Sequence, residues 1–397
     1  MNRSLVAALL TLATSPALAQ TSEPSTPSSA QPAAPAQATP PPPEAGQVTS
    51  TTSQAEKKPQ EASGSWIDRV KLSGKSYLRY SYDLRGPTEN ANSFGIDRLY
   101  LQSEFQLTKT VRFQATLEGG DLRQGGNQYF DVTTKYAFLE VKDLWHTGSF
   151  LRVGQLPLAW ISYEEDLWGY RVTGPVAVDR WGYLTSSDLG LAVGGTIPGK
   201  YGSYQVNVNN GEGWKSAELG KRKELQGRLT LNPLAGMGGA AAGLFVTGYA
   251  STGKYDDAKG ISNTKERAIG QVGYQSAPLT VAAEYFAGRD ANDKVTRFTV
   301  NPAEPTVKSR GVSAFAVLNL GLLGAGPVAN VDLLARYDNI DPDTTLDGNN
   351  VKLGLAGVGY KWSKSIKSVV EIERTTYGAA TLKPNETRGK LLAEVKF

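Results

Sequence analysis

From Trp66 onward, apolar and polar side chains alternate with a period of two, in segments of about ten residues separated by turn-forming or loop-like stretches. Residues 70–84 place Val70, Leu72, Leu78, Tyr80, Tyr82 and Leu84 on one face. The other face holds Lys71, Ser73, Lys75, Tyr77, Arg79, Ser81 and Asp83. Residues 96–107 set Leu99, Leu101, Phe105 and Leu107 against Arg98, Tyr100, Gln102, Glu104 and Gln106. Residues 111–120 set Val111, Phe113, Ala115 and Leu117 against Arg112, Gln114, Thr116 and Glu118. The closing segment, 388–397, repeats the rhythm up to Phe397. A strand with one apolar face and an unpaired edge aggregates in water and is forbidden in lipid, so the last segment is expected to pair with the first and close a barrel.

Sixteen such strands are expected, at 70–84, 96–107, 111–120, 133–142, 149–156, 187–197, 202–209, 223–232, 241–251, 266–275, 279–288, 309–320, 328–338, 350–361, 366–376 and 388–397. Only 241–251 lacks clear alternation. The connections agree with this count. Those following odd strands are long, as at 85–95, 121–132 and 157–186, whereas those following even strands are mostly tight, as at 108–110, 276–278 and 363–365. That asymmetry belongs to a transmembrane antiparallel β-barrel with short periplasmic turns and long extracellular loops. Trp66, Trp145 and Trp362 fall at or beside the short turns, where an amphipathic ring sits among lipid headgroups.

Composition narrows the function. The 397 residues include 43 Gly and 18 Tyr, no Cys and a single His, so thiolate metal sites, disulfides and most His-based catalysis drop out. No metal or cofactor site is expected. The mean hydropathy of −0.32 carries no weight against a barrel, because lipid-facing and water-facing residues average out. The net charge of +4 comes without a dense basic cluster, which argues against nucleic acid as a partner. Residues 1–19 read as a secretory signal peptide: Arg3, a short apolar core and Ala17-Leu18-Ala19 as a small-x-small cleavage site. Residues 20–65, rich in Pro, Ala, Ser and Thr, read as a disordered periplasmic linker, leaving 66–397 for the barrel. The expected location is the bacterial outer membrane, with its lipid and lipopolysaccharide as surroundings.

On the inner face Lys71, Lys75 and Arg79 recur every four residues, with Arg98, Arg112 and Arg152 on nearby strands. They either make one sector of the bore positive, which would hold anions weakly enough to release them, or brace the wall by pairing with Glu104, Glu118 and Glu140. Further cations assigned to the inner face are Lys142, Arg228, Arg267, Arg336, Lys352, Lys367 and Lys390. The loop 157–186 carries Trp160, Trp168, Trp181, Tyr163, Tyr170 and Tyr183, too many aromatics to stand in water. It is expected to fold into the bore; capping the mouth or packing on a neighbouring subunit are the alternatives. Folded inward, it would bring Arg171 and Arg180, with Glu165 and Asp166, to the narrowest level.

The order LRVGQLPLAW at 151–160, a long loop, then DLG, a Gly-rich strand, a turn and a strand closing on NG before Trp214 resembles the phosphate-selective porin O and P family. Residues 94–118 and 133–142 are similar to that family's second to fourth strands. The resemblance implies a sixteen-stranded homotrimeric channel with anion-binding Arg and Lys on the inner wall and a constricting inward loop. Two other functions compete with a passive channel for small hydrophilic solutes or anions such as phosphate. A barrel lipase would need a Ser activated by His, and only His146, in an expected periplasmic turn, is present. A plugged structural or adhesion barrel would use the Pro-rich segment as a cell-wall tether.

Overall fold

In a computed structural model the described residues are 66–121, 130–215, 221–256, 262–291, 295 and 297–397. The expected signal peptide (1–19) and linker (20–65) lie outside them. Sixteen antiparallel strands close into a barrel. They are β1 (Val70–Arg85), β2 (Asn92–Gln106), β3 (Val111–Asp121), β4 (Phe130–Lys142), β5 (Ser149–Pro157), β6 (Ser187–Ile197), β7 (Gly202–Asn209) and β8 (Glu224–Leu231). The second half comprises β9 (Leu244–Asp256), β10 (Ser262–Gln275), β11 (Leu279–Ala291), β12 (Thr306–Asn319), β13 (Val331–Asp341), β14 (Val351–Lys361), β15 (Ile366–Tyr377) and β16 (Glu386–Lys396). Each strand pairs with its sequence neighbours, and β1 pairs with β16 in the register Ser76↔Val395, Tyr80↔Leu391. No sheet edge remains, which is what lipid demands of a strand-built span.

The outer face is the apolar one. Leu101, Leu139, Val153, Leu191, Val206, Leu229, Val246, Val272, Val312, Leu333, Val358 and Leu391 are all well exposed at the barrel surface. Such a belt is stable only against acyl chains, and the fold places the chain in the bacterial outer membrane. Trp145 and Trp362 are exposed in short turns, their indole N–H groups donating to the Tyr204 hydroxyl (2.7 Å) and Ser368 Oγ (2.9 Å). The segment with no clear alternation is β9, which starts three residues later than expected and buries Phe245, Thr247, Tyr249 and Ser251 on its inner face.

Two β-bulges change which way side chains point. Opposite β1 the register jumps from Tyr77↔Arg98 to Leu78↔Ile96, leaving Asp97 as the extra residue. Opposite β3 it jumps from Thr116↔Tyr136 to Leu117↔Thr134, leaving Lys135 extra. A bulge puts two successive residues on the same side. Asp97 and Lys135 therefore join the polar inner wall beside Arg98 and Tyr136, although strict alternation assigns both to the lipid.

Lys352 is a correction in the other direction. It pairs with Asn339 on the outer face and is exposed, while Leu353 and Leu355 occupy the inner face of β14 and are buried. The rule of apolar outside and charged inside reverses there because the inner wall of β14 faces an apolar surface rather than water.

Candidate functional site: the bore and its inward loop

That apolar surface is the long connection after β5. It folds into the barrel as helix α1 (Ile161–Trp168), a 3-10 turn (Arg171–Thr173) and a short helix α2 (Ala177–Arg180). Gly169 ends α1 in the left-handed conformation (φ 67°), and its N–H donates to the Glu165 carbonyl, turning the chain sharply. The aromatic residues dock on the inner wall of the second half of the barrel. Trp160 lies 5.6 Å from Tyr249, Trp168 lies 5.2 Å from Phe315 and Tyr183 lies 4.7 Å from Phe286, measured between ring centroids. Each such pair contributes about 0.5–1.5 kcal/mol beyond its burial. Gly359 leaves room for Tyr170, because a Cβ there would stand 2.7 Å from the Tyr170 hydroxyl.

The docked face is also pinned by charge. Arg228 Nε donates to the carbonyl of Ala159 (2.8 Å), Lys367 Nζ to Gly169 (2.5 Å), Arg336 Nη1 to Pro175 (2.5 Å) and Arg267 Nε to Tyr183 (2.9 Å). Four cations assigned to the bore thus tie down loop carbonyls, and those of the buried Ala159 and Tyr183 would otherwise lack a partner. The Tyr163 hydroxyl bonds to Thr247 (2.7 Å) and Gln271 (2.8 Å), the Tyr170 hydroxyl donates to Asp332, and Trp181 Nε1 donates to Asp338 (3.1 Å).

The opposite wall, built by β16 and β1–β5, stays polar and is laced with ion pairs. Arg79 meets Asp97 at 2.7 Å, Arg98 meets Glu118, Lys135 meets Glu118 at 2.7 Å, Arg112 meets Glu104 at 2.9 Å and Glu140 at 2.7 Å, and Arg152 meets Glu140 at 2.6 Å. Of the six cations singled out from the sequence, Arg79, Arg98, Arg112 and Arg152 are thereby engaged. Lys71 and Lys75 have no ion pair among the described residues, and Lys71 is exposed near the short-turn end. Lys135 and Asp97 were missed because only the bulge turns them inward. Lys135 is held by an aromatic cage, its ammonium 5.0 Å from the Tyr100 ring and 5.7 Å from that of Tyr136.

On the loop, Arg171 is 8 % exposed, with its guanidinium taken by Glu165 (2.5 Å) and Asp179 (3.6 Å), so it braces the loop from within. Arg180 crosses to the wall and pairs with Glu373 at 2.7 Å. Asp166 is exposed with no ion pair among the described residues. Partial burial and the neighbouring Glu165 carboxylate hold its pKa above the ordinary value, and Lys75 opposes that shift. Glu164, on the buried side of α1, has its pKa pushed up to about 7 by loss of water.

Between loop and polar wall two cavities follow each other along β1. The first, about 510 Å³, lies toward the long loops and is lined by Arg79, Asp83, Asp97, Arg180, Glu373, Arg388 and Lys390 among others. The second, about 190 Å³, lies toward the short turns and is lined by Lys75, Tyr77, Tyr100, Gln102, Lys135, Tyr136 and Glu165 among others. Tyr77 sits at the level between them, 2 % exposed and edge-on to Tyr100 at 6.0 Å. The lone histidine, His146, hydrogen-bonds the Tyr204 hydroxyl in the turn between β4 and β5 and lines neither of these cavities.

No protein-family model and no curated protein matches the chain. Solved structures match its fold. The anion-selective porin from Comamonas acidovorans superposes with a TM-score of 0.60 at 11 % identity, covering 83 % of this chain and 99 % of that one. Salmonella typhi OmpF, solved with daunomycin, gives 0.57 at 14 %, covering 84 % and 99 %. The trimer form of OmpT, an outer membrane protein of Vibrio cholerae, gives 0.54 at 12 %, covering 83 % and 99 %. At these identities the likeness is one of fold, and the architecture is that of outer-membrane porins.

Proposed function

We propose that this protein is a channel for passive diffusion of small hydrophilic solutes, with a mild preference for anions, inorganic phosphate among them. The observation that carries the reading is the polar path left between the docked loop and the β16–β5 wall. Its two cavities are each lined by one more cation than carboxylate: Arg79, Arg180, Arg388 and Lys390 against Asp83, Asp97 and Glu373, then Lys75 and Lys135 against Glu165. Most of these cations already hold a carboxylate, so they offer an anion little uncompensated charge. A weak preference follows, rather than a tight phosphate site. Lys75 is the lumen cation best placed to act on a passing ion. Arg180 and Asp166 flank the path, and Arg171 with Glu165 sets the loop's position.

One structural neighbour is a trimer form, so the assembly we propose is a homotrimer. Reversal potential across a planar bilayer in a KCl gradient tests the function. A potential on the anion side, reduced when phosphate is added, is the expected result. Absence of conductance from refolded protein would instead support the plugged structural barrel.

A further inference from the structure

Among the described residues the outer wall carries one dense group of charges where lipid is expected. At the long-loop ends of β11–β15, five cations point outward: Arg289, Lys308, Arg310, Lys352 and Arg374. Registers make them neighbours. Arg289 stands directly opposite Lys308, Arg310 opposite Asp341, and Lys352 opposite Asn339; Arg374 lies opposite Gly354, two residues from Lys352 on the same face. Four strand spacings separate the first from the last, a width of about 20 Å.

Two carboxylates share this face. Glu266 reaches Arg289 only at 3.9 Å, and Asp341 engages Arg310 at 3.1 Å. Lys308, Lys352 and Arg374 are exposed and have no carboxylate partner among the described residues. Like charges placed directly opposite, as at Arg289 and Lys308, destabilise a sheet unless an anion lies between them. At the corresponding long-loop ends of β2–β4, β6 and β7 the outward residues are Phe94, Leu117, Val132, Leu189 and Val208, while β1 and β9 end on the single exposed cations Arg85 and Lys254. Only in β11–β15 do several cations stand together among the described residues.

Its surroundings match an amphiphile. A cavity of about 430 Å³ opens on the outer wall beneath the loop after β13, where Arg310, Asn339, Asn349 and Asn350 supply polar groups and Asp341 and Asp347 acidic ones. The cavity itself thus holds one cation and two carboxylates, and cations are in excess only across the whole sector, where Arg289, Lys308, Arg310, Lys352 and Arg374 stand against Glu266, Asp341 and Asp347. Directly below, toward the membrane, run Tyr285, Val312, Tyr337 and Ile372, all exposed and apolar.

We infer that β11–β15 form a binding site for a phosphorylated glycolipid of the outer leaflet. Phosphates are held by Lys308, Lys352, Arg374 and Arg289 as charge-assisted hydrogen bonds, sugar hydroxyls by the asparagine-lined cavity, and acyl chains along the apolar residues below. Charge complementarity and position at the long-loop end select this occupant over a phospholipid, whose small headgroup cannot span the row of cations.

The test uses the full chain, refolded in detergent and stripped of lipid, titrated with bis-phosphorylated lipid A, dephosphorylated lipid A and phosphatidylglycerol, with occupancy read by native mass spectrometry. Expected is at least tenfold tighter binding of the bis-phosphorylated form than of the other two. The combined K308E, K352E and R374E substitutions should abolish that difference. Because these side chains project from the barrel, folding is checked by heat-modifiable gel mobility, and K308Q with K352Q serves as a milder second variant expected to weaken binding severalfold. Equal binding of all three lipids, or unchanged affinity in both folded variants, would overturn the site. Single-channel conductance is a separate readout, so failure here leaves the channel reading standing and the converse also holds.

Discussion

Gly74 and Phe397 close the barrel: Gly74 N–H donates to the Phe397 carbonyl at 2.7 Å, and Phe397 N–H donates back to Gly74 at 3.1 Å. The Phe397 ring lies over Gly74 so closely that a Cβ there would collide with it. The residue that makes this seat possible is thus the one with no side chain. We expect Gly74→Ala to swing the ring away and destabilise the barrel by about 1–2 kcal/mol, as small overpacking does. In a Phe397→Ala background the same change should cost close to nothing, and urea unfolding of the four proteins in liposomes measures the difference.

The pinned carbonyls give a second expectation. Arg228→Met removes the donor to Ala159 and leaves that carbonyl unsatisfied under the loop, a loss of about 1–3 kcal/mol. Arg228 holds no carboxylate, so no stranded charge complicates the outcome. A lower melting temperature should accompany short-lived current steps in single-channel records, since the loop end nearest β5 is released. Quiet records at unchanged melting temperature would count against the pinning role.

Charge reversal at Lys75 should change ion preference. Two charge units acting across about 10 Å of water are worth about 0.8 kcal/mol, with opposite sign for an anion and a cation, so the anion-to-cation permeability ratio should fall about sixteenfold in Lys75→Glu. Asp166→Asn should move it the other way by about half as much in free energy. Reversal potentials of both variants in a KCl gradient decide this, and coincident values for wild type and Lys75→Glu would remove Lys75 from the path.

Loop docking should depend on pH through Glu164. Its folded pKa, about 7, lies above that of the unfolded chain, so the docked state keeps a proton that the unfolded chain has released. Stability is then greatest below the unfolded value of about 4.3 and falls as pH rises toward 7, the buried Glu284 carboxyl that hydrogen-bonds Glu164 sharing in the retained proton. Thermal melts in detergent between pH 4 and 8 should show this decline in the wild type and a flatter profile in Glu164→Gln, which keeps an acceptor for Trp160 Nε1 (2.7 Å).

Much of the architecture was legible along the chain. A period of two read directly gives Ser187–Ile197 and Gly202–Asn209 with both ends in place, and the alternation of long and short connections gives sixteen strands and their direction. The wall charges were harder. Alternation identifies Arg79, Arg98, Arg112 and Arg152 as inward, but whether they stand free or pair depends on cross-strand register, and register depends on bulges. Asp97 and Lys135 carry no local mark of the extra residue, since a bulge is set by how two strands must twist against each other.

The sequence by itself determined the closed strand-built wall, its direction in the membrane and an aromatic loop that could not remain in water. Only the tertiary structure decided which half of the bore that loop would cover. Its rings bury against β9–β15, so Leu353 and Leu355 turn inward, Lys352 turns toward lipid, and Arg228, Arg267, Arg336 and Lys367 become ties for loop carbonyls. The reason is that a side chain's facing follows from the medium it meets. Local alternation records two media, lipid and water, whereas the docked loop supplies a third, apolar and inside, that exists only once distant segments have come together.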